Sequence, residues 1–252
     1  MRPVEPFNFI GSQGAMLAGR LHRPEGQARG AILLAHCFTC SKDIHTMTRL
    51  ASGLADAGYA ALRFDFTGLG DSEGDFAETS VSANVADLTR AAATLVQAGF
   101  GPCGLIGHSL GGAAAVLAAH RLKTVRSLVT LAAPADTGHV RHLFSDQLPT
   151  LAAGQPAVIR IADRPFNLNP EFVRDLGQHE VTVRVAQLGR PYCVVHAADD
   201  TVVGYDNAER LFAAATEPKR LVTLDSGGHL FGDRSAAEAV LDAVLTWFGE
   251  TL

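Results

Sequence analysis

The sequence predicts an α/β fold in which helices cover both faces of a mostly parallel central sheet. Short apolar runs alternate with amphipathic stretches of helical period along most of the 252 residues. The apolar runs are almost continuous, as in GAILLAH and CVVHA, which is typical of strands buried on both faces. A helical stretch follows nearly every run and supplies the long crossover that successive parallel strands require.

The N-terminal region is the exception to this alternation. Residues 7–10 and 15–21 are two short, largely apolar segments separated by the turn sequence GSQG. Because the turn is short and contains glycine at both ends, this spacing predicts an antiparallel hairpin.

The remaining strands are predicted from apolar runs, and the helices from apolar positions three and four residues apart. In the first half of the chain they are a strand at 30–36, a helix at 44–57, a strand at 60–66, a helix at 81–97, a strand at 103–108, a helix at 111–122 and a strand at 125–133. In the second half they are a strand at 191–197, a helix at 206–215, a strand at 220–225 and a final helix at about 235–248.

Residues 137–190 break this alternation. Their short apolar pieces, AVIRIA and PEFVRDL, do not repeat the pattern of a strand followed by a long helix. We expect a small cap-like insertion over the C-terminal edge of the sheet. We also expect that residues 1–252 form a single domain that contains this insertion.

Composition and charge exclude several classes of partner. The formal net charge is −5 and no basic run occurs, so neither a nucleic acid nor an anionic membrane is expected to bind. The start, MRPVEPFNF, lacks the layout of a signal peptide, and no apolar run reaches the roughly 18 residues of a membrane span. With only four cysteines, the sequence indicates a reduced, cytoplasmic protein without a disulfide framework.

The motif GHSLG at residues 107–111 is the strongest chemical signal. It follows an apolar strand and leads directly into an alanine-rich helix, the setting of a serine held at a sharp strand-to-helix turn. Small residues let the neighbouring backbone approach, and the helix N-terminus supplies N–H groups beside the serine oxygen. A helix N-cap would explain Ser109 but not the flanking glycines. We therefore predict that Ser109 is a nucleophile.

A serine nucleophile requires a base and an acid that orients the base. His229 lies in SGGHLF, and Asp199 and Asp200 lie in HAADDTVV, each directly after an apolar strand. The chain order Ser, Asp, His beyond the C-terminal ends of strands favours His229 as the base. Asp199, Asp200 and, in an earlier loop, Asp136 are the candidates for the acid.

Two other patterns invite interpretation as ligand sites. Asp136, His139 and His142 form the spacing D-x-x-H-x-x-H, but no further Cys/His cluster completes a metal site. DFTGLGDSEG does not follow the first strand and does not lead directly into a helix, and a dinucleotide-binding motif would require both. His36 and His108 are expected to be polar groups in the core or behind the site. We therefore expect no metal and no organic cofactor.

The sequence CFTC at 37–40 occupies the turn after the strand GAILLAH. An acyl-transfer serine needs N–H donors for the oxyanion, and the expected donors are the Leu110 N–H and, in this turn, the Phe38 N–H. A redox pair would open the helix directly, and a zinc site would need a second pair of ligands. We expect the turn to matter and the cysteines to be incidental, with any redox role of Cys37 and Cys40 left open.

These residues make the sequence similar to the α/β-hydrolase superfamily over essentially its whole length. AHCFTCSKD, LRFDFTGLGDSEGDF, LIGHSLGGAA and DDTVVGYDNA resemble a bacterial group in which the hydrolase is often fused to an OsmC-like domain. The resemblance implies an α/β-hydrolase fold, Ser109 as nucleophile, His229 as base, and Phe38 and Leu110 as oxyanion donors. The family spacing H-x-x-x-D-x-x-V implies Asp200 as the acid.

Two positions depart from the family pattern. Cys37 replaces the usual glycine after His36, and Gly204 replaces the usual proline after the acid loop. Because the sequence ends at Leu252, an OsmC-like domain is expected either to be missing or to lie on another chain, as a partner protein.

The expected activity is that of a serine hydrolase. It would cleave a small carboxylic ester or thioester through an acyl-serine intermediate, without a cofactor. The alternatives are a non-catalytic ligand-binding or partner protein on the same scaffold, and another superfamily activity such as that of a peptidase, C–C hydrolase or perhydrolase.

Overall fold

The fold is described for residues 3–252 of a computed structural model. The strands are β1 (Val4–Pro6), β2 (Phe9–Ile10), β3 (Met16–Leu17), β4 (Gly19–His22), β5 (Ala31–Ala35), β6 (Ala60–Phe64), β7 (Pro102–His108), β8 (Ser127–Leu131), β9 (Ala157–Ile161), β10 (Arg164–Leu168), β11 (Tyr192–Ala197) and β12 (Lys219–Leu224). The helices are α1 (His45–Asp56), α2 (Val81–Gln97), α3 (Leu110–Ala119), α4 (Leu148–Ala152), α5 (Pro170–Leu176), α6 (Val181–Ala186), α7 (Asp206–Ala214) and α8 (Arg234–Thr251). Two 3-10 segments lie at Phe76–Glu78 and Thr137–Gln147.

Eight of these strands form the central sheet, in the order β1-β4-β6-β5-β7-β8-β11-β12. The six strands from β6 to β12 in this order are parallel, whereas β4 is antiparallel to both of its neighbours. The prediction of a mostly parallel sheet with an antiparallel strand pair at the N-terminus is therefore confirmed.

The sheet is covered on both faces, because alternate side chains of each buried strand enter different cores. In β5, Ile32 and Leu34 belong to the core formed with α1 and α8, whereas Leu33 belongs to the core formed with α2 and α3. Every residue of β5 and β7 is buried, which explains why these strands appear in the sequence as continuous apolar runs.

The N-terminal hairpin differs in detail from the prediction. The segment 15–21 is divided at Ala18: β3 pairs with β2, and β4 pairs with β1 and β6. Ala18 donates its N–H to the Ser72 side chain and accepts from the Asp65 N–H. Its backbone groups are therefore used by a neighbouring loop, which interrupts the strand at this residue.

The segment between β8 and β11 contains the second 3-10 segment, α4, the antiparallel hairpin of β9 and β10, α5 and α6. The hairpin turns at Ala162 and Asp163, which both have positive φ angles (48° and 61°), as a two-residue type I′ turn requires. AVIRIA and PEFVRDL thus correspond to β9 and α5. Among the helices of residues 3–252, none is both long and apolar enough to cross a membrane.

Candidate active site

Ser109 lies at the sharp turn between β7 and α3. Its φ angle is 54°, in the left-handed region that non-glycine residues rarely adopt, at a typical cost of about 1–3 kcal/mol. The Ser109 N–H donates to the Leu131 carbonyl at 2.9 Å, which ties the turn to β8. The Ser109 hydroxyl does not cap α3, so the N-cap interpretation does not account for this serine.

The glycines of the motif are required by close approach. A Cβ on Gly107 would overlap the Gly111 carbonyl, and a Cβ on Gly111 would overlap the His36 carbonyl at the end of β5. Because nothing larger than hydrogen fits at Gly111, the first turn of α3 lies directly against the segment that follows β5.

The structure brings Ser109, His229 and Asp200 together. Ser109 Oγ lies 2.9 Å from His229 Nε2, and His229 Nδ1 lies 2.9 Å from Asp200 Oδ2. If the Nδ1–H donates to the carboxylate, Nε2 is left free to accept the serine proton. This is the arrangement of a hydroxyl, a base and an orienting acid.

The Asp200 carboxylate is fixed on every side. Oδ1 accepts the N–H groups of Val202 (2.8 Å) and Val203 (2.9 Å), and His196 Nε2 lies 3.4 Å from Oδ2. Burial alone would raise the pKa of Asp200, but the hydrogen bonds with His196 and His229 outweigh it and hold that pKa below its usual range. Asp200 is therefore ionised whenever the protein is at neutral pH.

The other two candidate acids lie elsewhere. Asp199 is exposed, and its carboxylate accepts the N–H groups of Gly227 (3.3 Å) and Gly228 (2.9 Å), just before His229 in the chain. Asp136 accepts the Gly138 N–H at 2.7 Å and begins the 3-10 segment. Of the three carboxylates, Asp200 is the one hydrogen-bonded to the imidazole.

The two expected oxyanion donors are the N–H groups of Phe38 and Leu110. The Phe38 N–H donates to no protein acceptor within the described chain, and Phe38 itself lines the pocket. Leu110 begins α3, where the first N–H groups of a helix have no intrahelical acceptor. Neither N–H group is therefore committed to an acceptor within the described chain.

The expectation that the cysteines are free is wrong for Cys37 and Cys40, which form a disulfide. Their Cα atoms are 5.3 Å apart, within the range that a disulfide spans. The tight turn that places the Phe38 N–H also brings the two thiols together, which the sequence interpretation did not take into account. Cys103 and Cys193 are free and buried.

The pocket in front of Ser109 has a volume of about 390 Å³. Its wall is largely apolar, and the segment between β8 and β11 supplies one side of it. Besides Ser109 and His229, the polar residues in the wall are Thr39, Ser41, His139, His142 and Arg164. Apolar side chains in this wall are Ile44, Val140, Leu143, Ile161, Val202 and Leu230. Residues of this segment therefore form part of the pocket wall in front of Ser109.

The histidines of the D-x-x-H-x-x-H spacing hydrogen-bond to backbone carbonyls. His139 Nε2 hydrogen-bonds to the Val202 carbonyl, and His142 Nδ1 to the His139 carbonyl. Within residues 3–252, no group of three or more His, Cys, Asp or Glu side chains is arranged to hold a metal ion.

Comparison with known proteins identifies the family to which this fold belongs. Residues 32–243 match the sequence profile of the alpha/beta hydrolase family. An esterase domain from a Rhodothermus marinus protein, known from its crystal structure, is 34% identical in sequence to this chain. The two structures match with a TM-score of 0.81 over 99% of each chain.

The chain belongs to the alpha/beta hydrolase family. A less similar solved structure shares the fold, and a curated protein is similar in sequence. Est1E from Butyrivibrio proteoclasticus, solved with ferulic acid, is 21% identical, with a TM-score of 0.81 over 97% of this chain and 98% of that one. An uncharacterized Mycobacterium tuberculosis protein is 26% identical over 96% of this chain and 78% of its own length.

Two buried histidines of this hydrolase support the loops of the site. His108 Nε2 lies 2.7 Å from the His229 carbonyl. His36 Nδ1 lies 2.8 Å from the Cys37 carbonyl, and its Nε2 accepts the Phe66 N–H at 3.2 Å. His108 therefore holds the backbone of the proposed base, and His36 holds the turn that contains Phe38. The sequence predicted both histidines either in the core or behind the site and assigned them no contact.

Sequence interpretation also missed an ionic cluster behind the turn. Asp65, fully buried, accepts the Lys42 N–H at 2.6 Å, Lys42 Nζ at 2.7 Å and the Asp71 N–H at 2.9 Å. A Cβ on Gly70 would overlap the Asp65 carboxylate, so the loop DFTGLGD is shaped around that carboxylate. The sequence feature that could have indicated this cluster is the presence of two aspartates and two glycines in DFTGLGD.

His108 gives the hydrolase a pH-dependent stability. Burial, with the nearby His229, lowers the pKa of His108 from 6.5 to about 3. Between these values the unfolded chain binds a proton that the folded chain does not, so stability falls as the pH falls. At about pH 5 this one group should cost about 2 kcal/mol relative to about pH 7.5.

The matched variant is His108→Gln, which retains a donor for the His229 carbonyl but does not titrate. In urea unfolding at the two pH values, the wild type should lose about 2 kcal/mol more than this variant. If both proteins lost the same unfolding free energy between the two pH values, His108 would not be the group responsible for the pH dependence.

Proposed function

We propose that this hydrolase is a serine esterase that cleaves a small carboxylic ester or thioester through an acyl-serine intermediate. In this proposal Ser109 is the nucleophile, His229 the base, and Asp200 the acid that orients it. The observation that carries the proposal is the pair of hydrogen bonds that joins Ser109 Oγ to His229 and His229 to Asp200.

The first step acylates the serine. Ser109 Oγ attacks the substrate carbonyl carbon while His229 Nε2 takes the hydroxyl proton, and the carbonyl oxygen becomes an oxyanion. The N–H groups of Phe38 and Leu110 stabilise this charge. His229 then gives its proton to the leaving alcohol or thiol, and the acyl group stays on Ser109.

The second step releases the acid. Water enters in place of the alcohol, and His229 Nε2 takes one of its protons as the oxygen attacks the acyl carbon. The tetrahedral intermediate collapses, the proton returns to Ser109 Oγ, and a carboxylic acid leaves. Throughout, the ionised Asp200 stabilises the imidazolium that forms on His229.

The Rhodothermus marinus esterase domain supports an ester as the bond cleaved, because its 34% identity extends over 99% of both chains. The apolar pocket supports an uncharged acyl group. Two alternatives remain from the sequence: a non-catalytic binding protein, and a peptidase, C–C hydrolase or perhydrolase. No contact in the site favours either of them over an esterase.

Acyl specificity should follow from the size of the pocket. A volume of about 390 Å³ is near the lower end of ligand pockets. We expect kcat/KM to be highest for acyl chains of about two to six carbons and to fall at least about tenfold for chains of about twelve, which the walls cannot bury.

The test is a panel of p-nitrophenyl esters of graded acyl length, with thioesters and peptide amides of matched acyl groups. Hydrolysis of short esters or thioesters with little action on amides supports the proposal. A preference for long, aggregated lipids with activation at an oil–water interface would contradict the acyl prediction, and exclusive cleavage of amides would contradict the esterase.

Three expectations accompany this proposal and stay predictions: a single domain over residues 1–252, a cytoplasmic location and an OsmC-like partner protein. None of them contributes to the argument for the chemistry. Cell fractionation and co-purification of bound proteins would test the last two.

A further inference from the structure

The Cys37–Cys40 disulfide lies in the wall of the candidate active site. Both residues line the pocket that contains Ser109 and His229. Cys37 is buried, with 4% of its surface exposed, whereas Cys40 is partly exposed. A small molecule that enters the pocket to reach Ser109 therefore also reaches this disulfide.

The bond closes a turn whose backbone is strained. Cys40 donates its N–H to the Cys37 carbonyl at 3.2 Å, and Thr39 has a φ angle of 59°. A β-branched residue in the left-handed region is an outlier, and such a conformation typically costs about 1–3 kcal/mol. It persists only where its surroundings enforce it. Here the enforcing contacts include the disulfide and the hydrogen bond from His36 to the Cys37 carbonyl.

The strained turn contains the proposed oxyanion donor. Phe38 and Thr39 are the two residues enclosed between the bonded cysteines. When the disulfide opens, one of the constraints on Thr39 is lost, and its backbone can relax towards a favourable φ angle. That relaxation moves the Phe38–Thr39 peptide and, through Phe38, the preceding Cys37–Phe38 peptide, which carries the proposed oxyanion donor.

We propose that the Cys37–Cys40 disulfide is a redox switch on this hydrolase: the oxidised pair holds the Phe38 turn in its active form, and reduction by a dithiol lowers the rate of hydrolysis. The effect on rate rests on the proposed function, because it acts through the oxyanion donor. The disulfide is thereby a reversible modification site with a dithiol as its reductant.

The exchange follows ordinary thiol–disulfide chemistry. A thiolate of the dithiol attacks the more exposed Cys40 sulfur and forms a mixed disulfide, while the Cys37 thiolate leaves and takes up a proton. The second thiol of the reductant then displaces Cys40, whose thiolate is also protonated. The protein has gained two electrons and two protons, and the reductant has become a cyclic disulfide.

The other two cysteines do not compete in this reaction. Burial raises the pKa of the Cys103 thiol, and it raises the pKa of the Cys193 thiol to about 12. Because the thiolate is the form that exchanges, both remain unreactive near neutral pH. Cys103→Ala is therefore a matched control that should leave the redox response intact.

The test measures short-ester hydrolysis after equilibration in buffers of oxidised and reduced dithiothreitol, with alkylation and mass spectrometry to count free thiols. On reduction we expect kcat to fall about tenfold to a hundredfold with KM little changed, since removal of a whole oxyanion donor costs about 10²–10³. Reoxidation should restore the rate. The Cys37→Ser, Cys40→Ser variant should have the lower rate in both buffers.

A second variant tests whether the backbone strain at Thr39 is what links the Cys37–Cys40 disulfide to the rate of ester hydrolysis. Thr39→Gly adopts a φ angle of 59° without a steric penalty, so its kcat should fall on reduction by less than about a third of the wild-type factor. A fall as large as that of the wild type would overturn this coupling.

The outcomes separate the two proposals. If Ser109 hydrolyses esters at the same rate with the disulfide fully reduced, the switch is overturned and the esterase stands. If neither form hydrolyses any ester nor reacts with a fluorophosphonate, the esterase is overturned, and the switch falls with it.

Discussion

Ser109→Ala is expected to lower kcat for ester hydrolysis by about four to six orders of magnitude and to abolish labelling by a fluorophosphonate. Without Oγ no acyl-enzyme can form, and any residual rate must come from water attacking directly in the same pocket. Because the Ser109 hydroxyl makes no helix-capping bond, its loss should leave the fold intact. KM should therefore change much less than kcat.

The measurement combines steady-state kinetics with mass spectrometry of the labelled protein. Ser226→Ala is the matched control, because Ser226 is exposed and lies three residues before His229. It should retain both labelling and activity. Normal hydrolysis by the Ser109→Ala protein would refute the serine esterase, and labelling at a different serine would move the nucleophile to that residue.

The convergence of Ser109, Asp200 and His229 could be predicted because it depends on topology. Parallel strands direct their C-terminal ends to one edge of the sheet, so residues that follow β7, β11 and β12 must meet there. The sequence located those strands by their apolar runs, and it located Ser109 by its glycines. Neither inference needed the side-chain packing.

Other features could not be predicted, either because their local sequence carries no distinguishing signal or because they depend on contacts between distant segments. CFTC is equally compatible with free thiols and with a bond, and the 5.3 Å separation of the Cα atoms is set by the turn. Ala162 and Asp163 form a type I′ turn without the usual glycine or asparagine, so no local signal marked the β9–β10 hairpin. The break at Ala18 depends on loop residues more than 40 positions away.

Asp200→Asn is expected to lower kcat by about 10³–10⁴, by analogy with the loss of the orienting carboxylate in serine proteases. Oδ1 accepts the Val202 and Val203 N–H groups and Oδ2 faces His229 Nδ1. An asparagine has a single side-chain oxygen, which can face either the two N–H groups or His229, but not both. If the oxygen stays with the two N–H groups, its NH₂ faces His229 and favours the wrong imidazole tautomer. In the other orientation, the NH₂ group faces two N–H donors.

Asp199→Asn is the matched control, because it makes the same chemical change in the adjacent residue of the same loop. Asp199 touches the backbone before His229 and not its ring: it accepts the Gly227 and Gly228 N–H groups. The asparagine oxygen can keep the shorter of these bonds, so we expect less than a tenfold loss of kcat. Steady-state kinetics of both variants decides the assignment. If Asp199→Asn proves the more damaging, Asp200 is not the acid that orients His229, and if neither change matters, no carboxylate in this loop is needed and Asp136 becomes the residue to test.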